Sequence, residues 1–222
     1  MPTITVDGPL WTLDLGQDEN RFSWTSLEQM GAALDELEDS TEPAALVTTG
    51  SGKFFSNGLD LDWLSEHRDQ HSDYVAAVQG LFARILTLPV PTVAAVNGHA
   101  FGAGAMLAMA HDHRVMRTER GYFCFPEVDI KIPFTHGMNA LITSRLTPRA
   151  ALESMATGRR FGGEDAAALG LVDDAVPLEK LQETAADWAR SWVGKDRATL
   201  GTIKGRMFAE VVQALRSHPH PD

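Results

Sequence analysis

Apolar residues recur along this chain in two rhythms, one of strands and one of helices. Thr3–Val6 and Leu10–Leu15 alternate or run apolar, and Asp7-Gly8-Pro9 between them predicts a hairpin. Leu27, Met30, Ala33, Leu34 and Leu37 recur at helical spacing and predict a helix over Ser26–Leu37. Ala44–Thr48 is a short apolar run closed by Gly50 and Gly52, which predicts a buried strand, with a loop over Lys53–Leu61. Val75, Val78, Leu81, Phe82 and Ile85 predict a helix through Tyr74–Leu88, stopped by Pro89 and Pro91. Thr92–Val96 reads as the next buried strand, Asn97–Phe101 as a turn and Ala103–Ala110 as a helix. His113–Met116 and Gly121–Phe125 read as strands. From His136 onward the pattern is almost all helical, over Met138–Leu146, Pro148–Thr157, Ala166–Leu169, Leu178–Trp192 and Leu200–Arg216. An alternating half followed by a helical half predicts an α/β fold, divided into residues 1–145 and a helical C-terminal region, 146–222. No tandem repeat, heptad run or low-complexity segment interrupts this pattern.

Composition narrows the class. A chain of 222 residues suits one large domain with an appendage. Hydrophobic residues at 44% and charged residues at 22% exclude disordered and collagen-like chains. The net charge of −11 and the lack of a basic patch argue against a nucleic-acid partner. The single cysteine, Cys124, forms no internal disulfide and anchors no multi-cysteine zinc site, which fits a reducing compartment. The N-terminus lacks the pattern of a secretory signal, and the most apolar stretch, Val93–Ala110, is broken by Asn97, His99 and glycines. The tail HPHPD matches no peroxisomal or lipidation signal, so a cytoplasmic protein without a membrane span is expected.

Chemistry concentrates in two loops, Phe54–Leu64 and Val96–Val115, each following an apolar strand. Glycine there permits tight turns and leaves amide N–H groups free near a helix start, where they suit negative charge. Gly102-Ala103-Gly104 lacks the further glycine of a dinucleotide fingerprint, and no glycine loop ends in the Lys-Ser or Lys-Thr of a P-loop. Taken with Phe123–Pro133 (FCFPEVDIKIP) and Thr157–Pro177, the two loops resemble, in consistent order, the crotonase superfamily of enoyl-CoA hydratases and isomerases. The resemblance spans roughly residues 3–215. It implies a spiral of ββα units, a helical C-terminal region that mediates assembly into a homotrimer or a hexamer of paired trimers, and acyl-CoA thioester substrates. CoA is then part of the substrate, and no metal or redox cofactor is needed.

Carried over by position, the resemblance assigns an oxyanion hole to the backbone N–H groups of Leu59 and Ala103. Ser56, Gly58, Asp60, Leu61, Gly102, Gly104 and Met106 are expected to line the substrate site. Hydratases of the family hold water between two glutamates. Met106 stands where one of them belongs, and Glu127, in Phe125-Pro126-Glu127, matches the other. A thioether accepts hydrogen bonds weakly and carries no proton, so one arm of the hydratase pair is gone. One carboxylate suffices for moving a 3-double bond to the 2-position, and isomerases of the family resemble this pattern. An apolar surround of Phe123, Phe125, Ile132 and Phe134 is expected to raise the Glu127 pKa. The alternatives are a hydratase or other crotonase-type reaction, and a catalytically silent acyl-CoA-binding subunit.

Other polar groups have plainer readings. In an extended segment Asp129 shares a face with Glu127 and is open to pairing with it. Asp60 and Asp62 suit a helix N-terminus. His111-Asp112-His113 suits capping and hydrogen bonding better than a metal, and Cys124 reads as strand filler. Arg159, Arg160, Lys204 and Arg206 either meet the CoA phosphates or are ordinary solvated charge. The Trp63–Tyr74 region is expected to set pocket depth.

Overall fold

The computed structural model describes residues 1–217, so the HPHPD tail and its reading lie outside the described residues. The chain opens with a hairpin of β1 (Thr3–Asp7) and β2 (Leu10–Asp14), turned at Gly8, whose φ is +56°. Helix α1 (Trp24–Asp39) follows, started by a capping box between Ser23 and Ser26. Next come β3 (Ala45–Thr49), β4 (Phe54–Ser56), α2 (Leu61–Glu66), a short 3-10 turn at Arg68–Gln70, and α3 (His71–Thr87). A second pass holds β5 (Thr92–Val96), β6 (His99–Phe101) and α4 (Ala103–Met109). A third holds β7 (His113–Arg117), β8 (Phe123–Cys124) and α5 (Glu127–Ile130). The remainder is α6 (His136–Arg145), α7 (Pro148–Thr157), α8 (Gly163–Leu169), β9 (Asp174–Val176), α9 (Leu178–Trp192), α10 (Arg197–Met207) and α11 (Ala209–Arg216).

Each pass places its first strand in one sheet and its second in another. The six-stranded sheet runs β1-β2-β3-β5-β7-β9 and the three-stranded sheet β4-β6-β8; beyond the opening hairpin these neighbouring strands pair in parallel, and Phe123 of β8 also makes an isolated antiparallel bridge to Phe161. This is the winding of a ββα spiral. The larger sheet is covered on both faces, so β3 and β5 read as continuous apolar runs. Side chains alternate across it: Ala45, Val47, Val93, Ala95 and Val115 pack with Leu181, Ala185, Ala186 and Ala189 of α9. Leu46, Ala94, Val96 and Met116 face the main core, where α4 is buried along its whole length. Helix α11 closes that core against α3 and α6. None of the described helices is long and apolar enough to cross a membrane.

Several local expectations change. The Lys53–Leu61 loop and the Asn97–Phe101 turn hold the short strands β4 and β6, and the helical second half contains β9. Three-residue strands are too short to show a period, so their partners define them. The segment around Glu127 is a turn of helix rather than extended. Glu127 is therefore buried while Asp129, two residues on, is exposed, and the two do not share a face.

Candidate active site

The two glycine loops touch. Gly58 has φ +81°, and a Cβ there would lie 2.7 Å from Phe101 O and 3.0 Å from Ala103 N. Only glycine permits both the left-handed backbone and the approach. The contact brings the Gly58–Leu59 peptide beside the start of α4, whose cap is Gly102 at φ +51°. Ala103 is the first residue of that helix, where an amide has no partner within the helix. Among the described residues, neither the Leu59 nor the Ala103 N–H is donated to a protein acceptor.

Opposite them stands Glu127. Pro126 begins the helical turn that carries it, and the residue is 8% exposed. Its Oε2 has no hydrogen-bond partner among the described residues, and a Cβ on Gly102 would lie 3.3 Å from its Oε1. Burial without a neighbouring cation pushes the Glu127 pKa up to about 7, opposed only by its own backbone N–H. Leu59, Leu61, Gly102, Ala103, Met106 and Glu127 line one cavity of about 310 Å³, walled further by Phe101, Cys124, Pro126, Ile130, Ile132, Pro133, Phe134 and Met138. Phe123 and Phe125 do not reach the lining; they stack edge-on behind it, with Phe125 edge-on to Phe134.

Other residues expected to line the site stand behind its wall. Ser56, Gly58, Asp60 and Gly104 are not in the lining. The Ser56 hydroxyl donates to Asn20 O at 2.7 Å and accepts from Gly58 N–H at 3.2 Å. Asp60 caps α2 by accepting from Trp63 N–H at 3.2 Å. Arg21 and Asn57 at the mouth, and Met138 inside, carry no local signal: a bridge between Phe22 and Leu59 delivers Arg21, and α6 delivers Met138. Arg21 pairs with Asp62 at 2.6 Å, leaving that carboxylate exposed and compensated.

The remaining polar candidates resolve by contact. His111 is fully buried between Leu107 O and Thr48 Oγ1, each at 2.8 Å, and burial lowers its pKa to about 3. His113 meets Asp174 at 2.9 Å, and among the described residues no three His, Cys, Asp or Glu side chains cluster as metal ligands. Lys204 does not face a CoA phosphate: it is 4% exposed and pairs with Asp112 at 2.9 Å. Arg159 pairs with Glu153 and Asp165, whereas Arg160 lies over the Phe101 ring and lines the cavity. Cys124 is buried, its thiol pushed up to about 11 by desolvation.

Comparison with known proteins places this chain in a lineage. The family model for enoyl-CoA hydratase/isomerase matches residues 10–220. Enoyl-CoA delta isomerase 3 of Arabidopsis thaliana is 36% identical over 227 aligned positions, covering 97% of this chain and 95% of that protein. The peroxisomal enoyl-CoA delta isomerase 2 of the same plant is 34% identical over 218 positions, covering 90% of each. The crystal structure of probable enoyl-CoA hydratase ECHA3 from Mycobacterium tuberculosis superposes with a TM-score of 0.89 at 28% identity, covering 98% of this chain and 92% of that one. With a ββα spiral, two touching glycine loops and a match over nearly its whole length, this chain is an enzyme of the enoyl-CoA hydratase/isomerase family, within the crotonase superfamily.

Proposed function

We propose that this enzyme is an enoyl-CoA isomerase that moves a double bond from the 3- to the 2-position of an acyl-CoA thioester. The thioester oxygen accepts hydrogen bonds from the Leu59 and Ala103 amides. The Glu127 carboxylate takes a proton from C2, and the electron pair delocalises through the dienolate onto that oxygen. The resulting carboxylic acid returns the proton to C4, leaving the double bond conjugated with the carbonyl and consuming no water. Preorganised donors of this kind are worth about 3 kcal/mol each in the transition state. A carboxyl with a pKa of about 7 is suited to both halves of the transfer, because neither protonation state is strongly favoured at neutral pH. CoA belongs to the substrate, and the transfer calls for no metal or redox group.

The observation that carries this reading is a buried, unpartnered carboxylate in a cavity lined also by Met106, 1% exposed, to which the family resemblance assigns the position of the second hydratase glutamate. A 3-enoyl-CoA should give rising absorbance of the conjugated thioester, abolished in Glu127→Gln. Acyl-CoA binding with no turnover would instead mark a silent binding subunit.

Hydration is the second reading, favoured by the name of a sequence relative, probable enoyl-CoA hydratase EchA17 of Mycobacterium tuberculosis, 36% identical over 78% of this chain. It expects water-dependent loss of a 2-enoyl-CoA by the unmodified enzyme. Under the isomerase reading that loss appears only when Met106→Glu restores the second carboxylate; no gain in that variant would mean position 106 does not separate the reactions. The reading extends to a homotrimer or a hexamer of paired trimers acting in the cytoplasm, testable by sedimentation and by imaging a tagged chain in its own cells.

A further inference from the structure

The direction of the Leu59 amide is set by a peptide plane, and that plane is held from outside the cavity. Gly58 O accepts from Phe22 N–H at 2.9 Å. Across a planar trans peptide the C=O and the following N–H point in opposite directions. Pinning Gly58 O toward Phe22 therefore turns the Leu59 N–H away from that segment, toward the cavity that Leu59 lines. The pinning segment is itself irregular, with Asn20 at φ +51° and Phe22 in an isolated bridge to Leu59. Two buried hydroxyls fix it. Tyr74, 1% exposed near the start of α3, donates to Phe22 O at 2.6 Å and accepts from Asp60 N–H at 3.1 Å. Ser56, with no exposed surface, donates to Asn20 O at 2.7 Å and accepts from Gly58 N–H at 3.2 Å. Each hydroxyl joins the two segments, and their acceptances fall on Gly58 and Asp60, the residues either side of Leu59. Burial pushes the Tyr74 phenol up to about 12, so it keeps the proton it donates.

We infer that the hydroxyls of Tyr74 and Ser56 are positioning groups that aim the Leu59 amide at the thioester oxygen. This rests on the proposed reading of Leu59 as an oxyanion donor. Neither side chain lines the cavity, so both act through the backbone. Misaiming a donor costs most where charge on the oxygen is largest, in the transition state, and less in substrate binding.

Tyr74→Phe retains the ring that packs against Trp24 and Trp63 and removes only the hydroxyl. Ser56→Ala removes the other strut and carries the test alone should Tyr74→Phe fail to fold. Each is expected to lower kcat on a 3-enoyl-CoA about tenfold or more, with KM changed less than about threefold. The acid limb of the pH profile should stay in place. Infrared difference spectra of a bound saturated acyl-CoA read the donors directly. The thioester carbonyl band should shift to lower wavenumber in the parent enzyme and in Glu127→Gln, and shift less in the two hydroxyl variants. Folded variants with the parent carbonyl band and the parent kcat would overturn the inference while leaving the oxyanion hole standing. An unshifted band in the parent enzyme would instead overturn the oxyanion reading, and the positioning role with it.

Discussion

Glu127 is charged at a cost, and the cost has a pH signature. In the unfolded chain a glutamate loses its proton near 4.5, whereas burial holds the folded-state value near 7. Between those values the folded protein binds the proton that the unfolded chain has released, so this residue's contribution to stability falls as pH rises through the window. Below about 4.5 both states are protonated and the contribution is neutral; above about 7 the full penalty is present, about 3 kcal/mol. Glu127→Gln removes the charge and the penalty together. It is expected to raise stability above pH 7 and to change it little at pH 4.5, read as the difference in urea midpoints at the two values. Catalysis runs the other way, because the base must be ionised: kcat/KM should rise through pH 7 in the parent enzyme. A variant that gained equally at both pH values would show that burial of the charge is not what shifts Glu127. His111 shows the contrast within the same fold. It is also desolvated, but both ring nitrogens have partners, so it serves as a neutral strut rather than a reagent.

Among the elements, α10 shows how function-like residues become structural once neighbours are known. Lys204 reads from sequence as one basic residue in a helix, as suited to a phosphate as to water. In the fold its Nζ is buried against Val90 O and Asp112 Oδ2, and Asp112 in turn accepts from Thr92 N–H at 2.9 Å. The pair ties α10 to the start of β5 and the end of α4. Lys204→Met leaves the half-buried Asp112 without its cation and should cost about 2 kcal/mol, whereas adding Asp112→Asn should recover part of the loss. Urea titrations of the single and double variants measure the coupling, and additive losses would show that the contact stabilises nothing. The same reasoning marks how far the sequence is legible. Helices α1 and α3 announce themselves because their apolar residues face one core at a helical period, and strands β3 and β5 because burial on both faces makes them short continuous apolar runs. Strands β4, β6 and β9 are three residues long and owe their existence to parallel partners distant in sequence. Glu127 and the two loops are legible through their order along the chain. The apolar surround of Glu127 is foreshadowed by its neighbours Ile132 and Phe134, whereas Arg21 at the mouth is a property of packing that no local pattern encodes.

The whole molecule joins its two halves through one sheet. The segment after residue 145 supplies β9 to the sheet edge, α9 to one face and α11 to the core between α3 and α6. Separating it would bare Val47, Val93, Ala95 and Val115, all at most 2% exposed, to water. At about 25 cal/mol per Å² of apolar surface, exposing that face is costly enough to make the halves unfold together. The tryptophans test this, because Trp11, Trp24 and Trp63 lie in the first half and Trp188 and Trp192 on α9. In a Trp188→Phe/Trp192→Phe variant, fluorescence reports the first half alone, while circular dichroism reports all helices. The two denaturation curves should coincide; a helical loss that precedes the fluorescence change would mean that the C-terminal region unfolds independently. The proposed trimer would add a second signature. Because association stabilises only the folded chain, the midpoint should rise with protein concentration while the two probes stay superimposed. A midpoint independent of concentration, with the curves still coincident, would leave the single cooperative unit intact and remove the case for obligatory assembly.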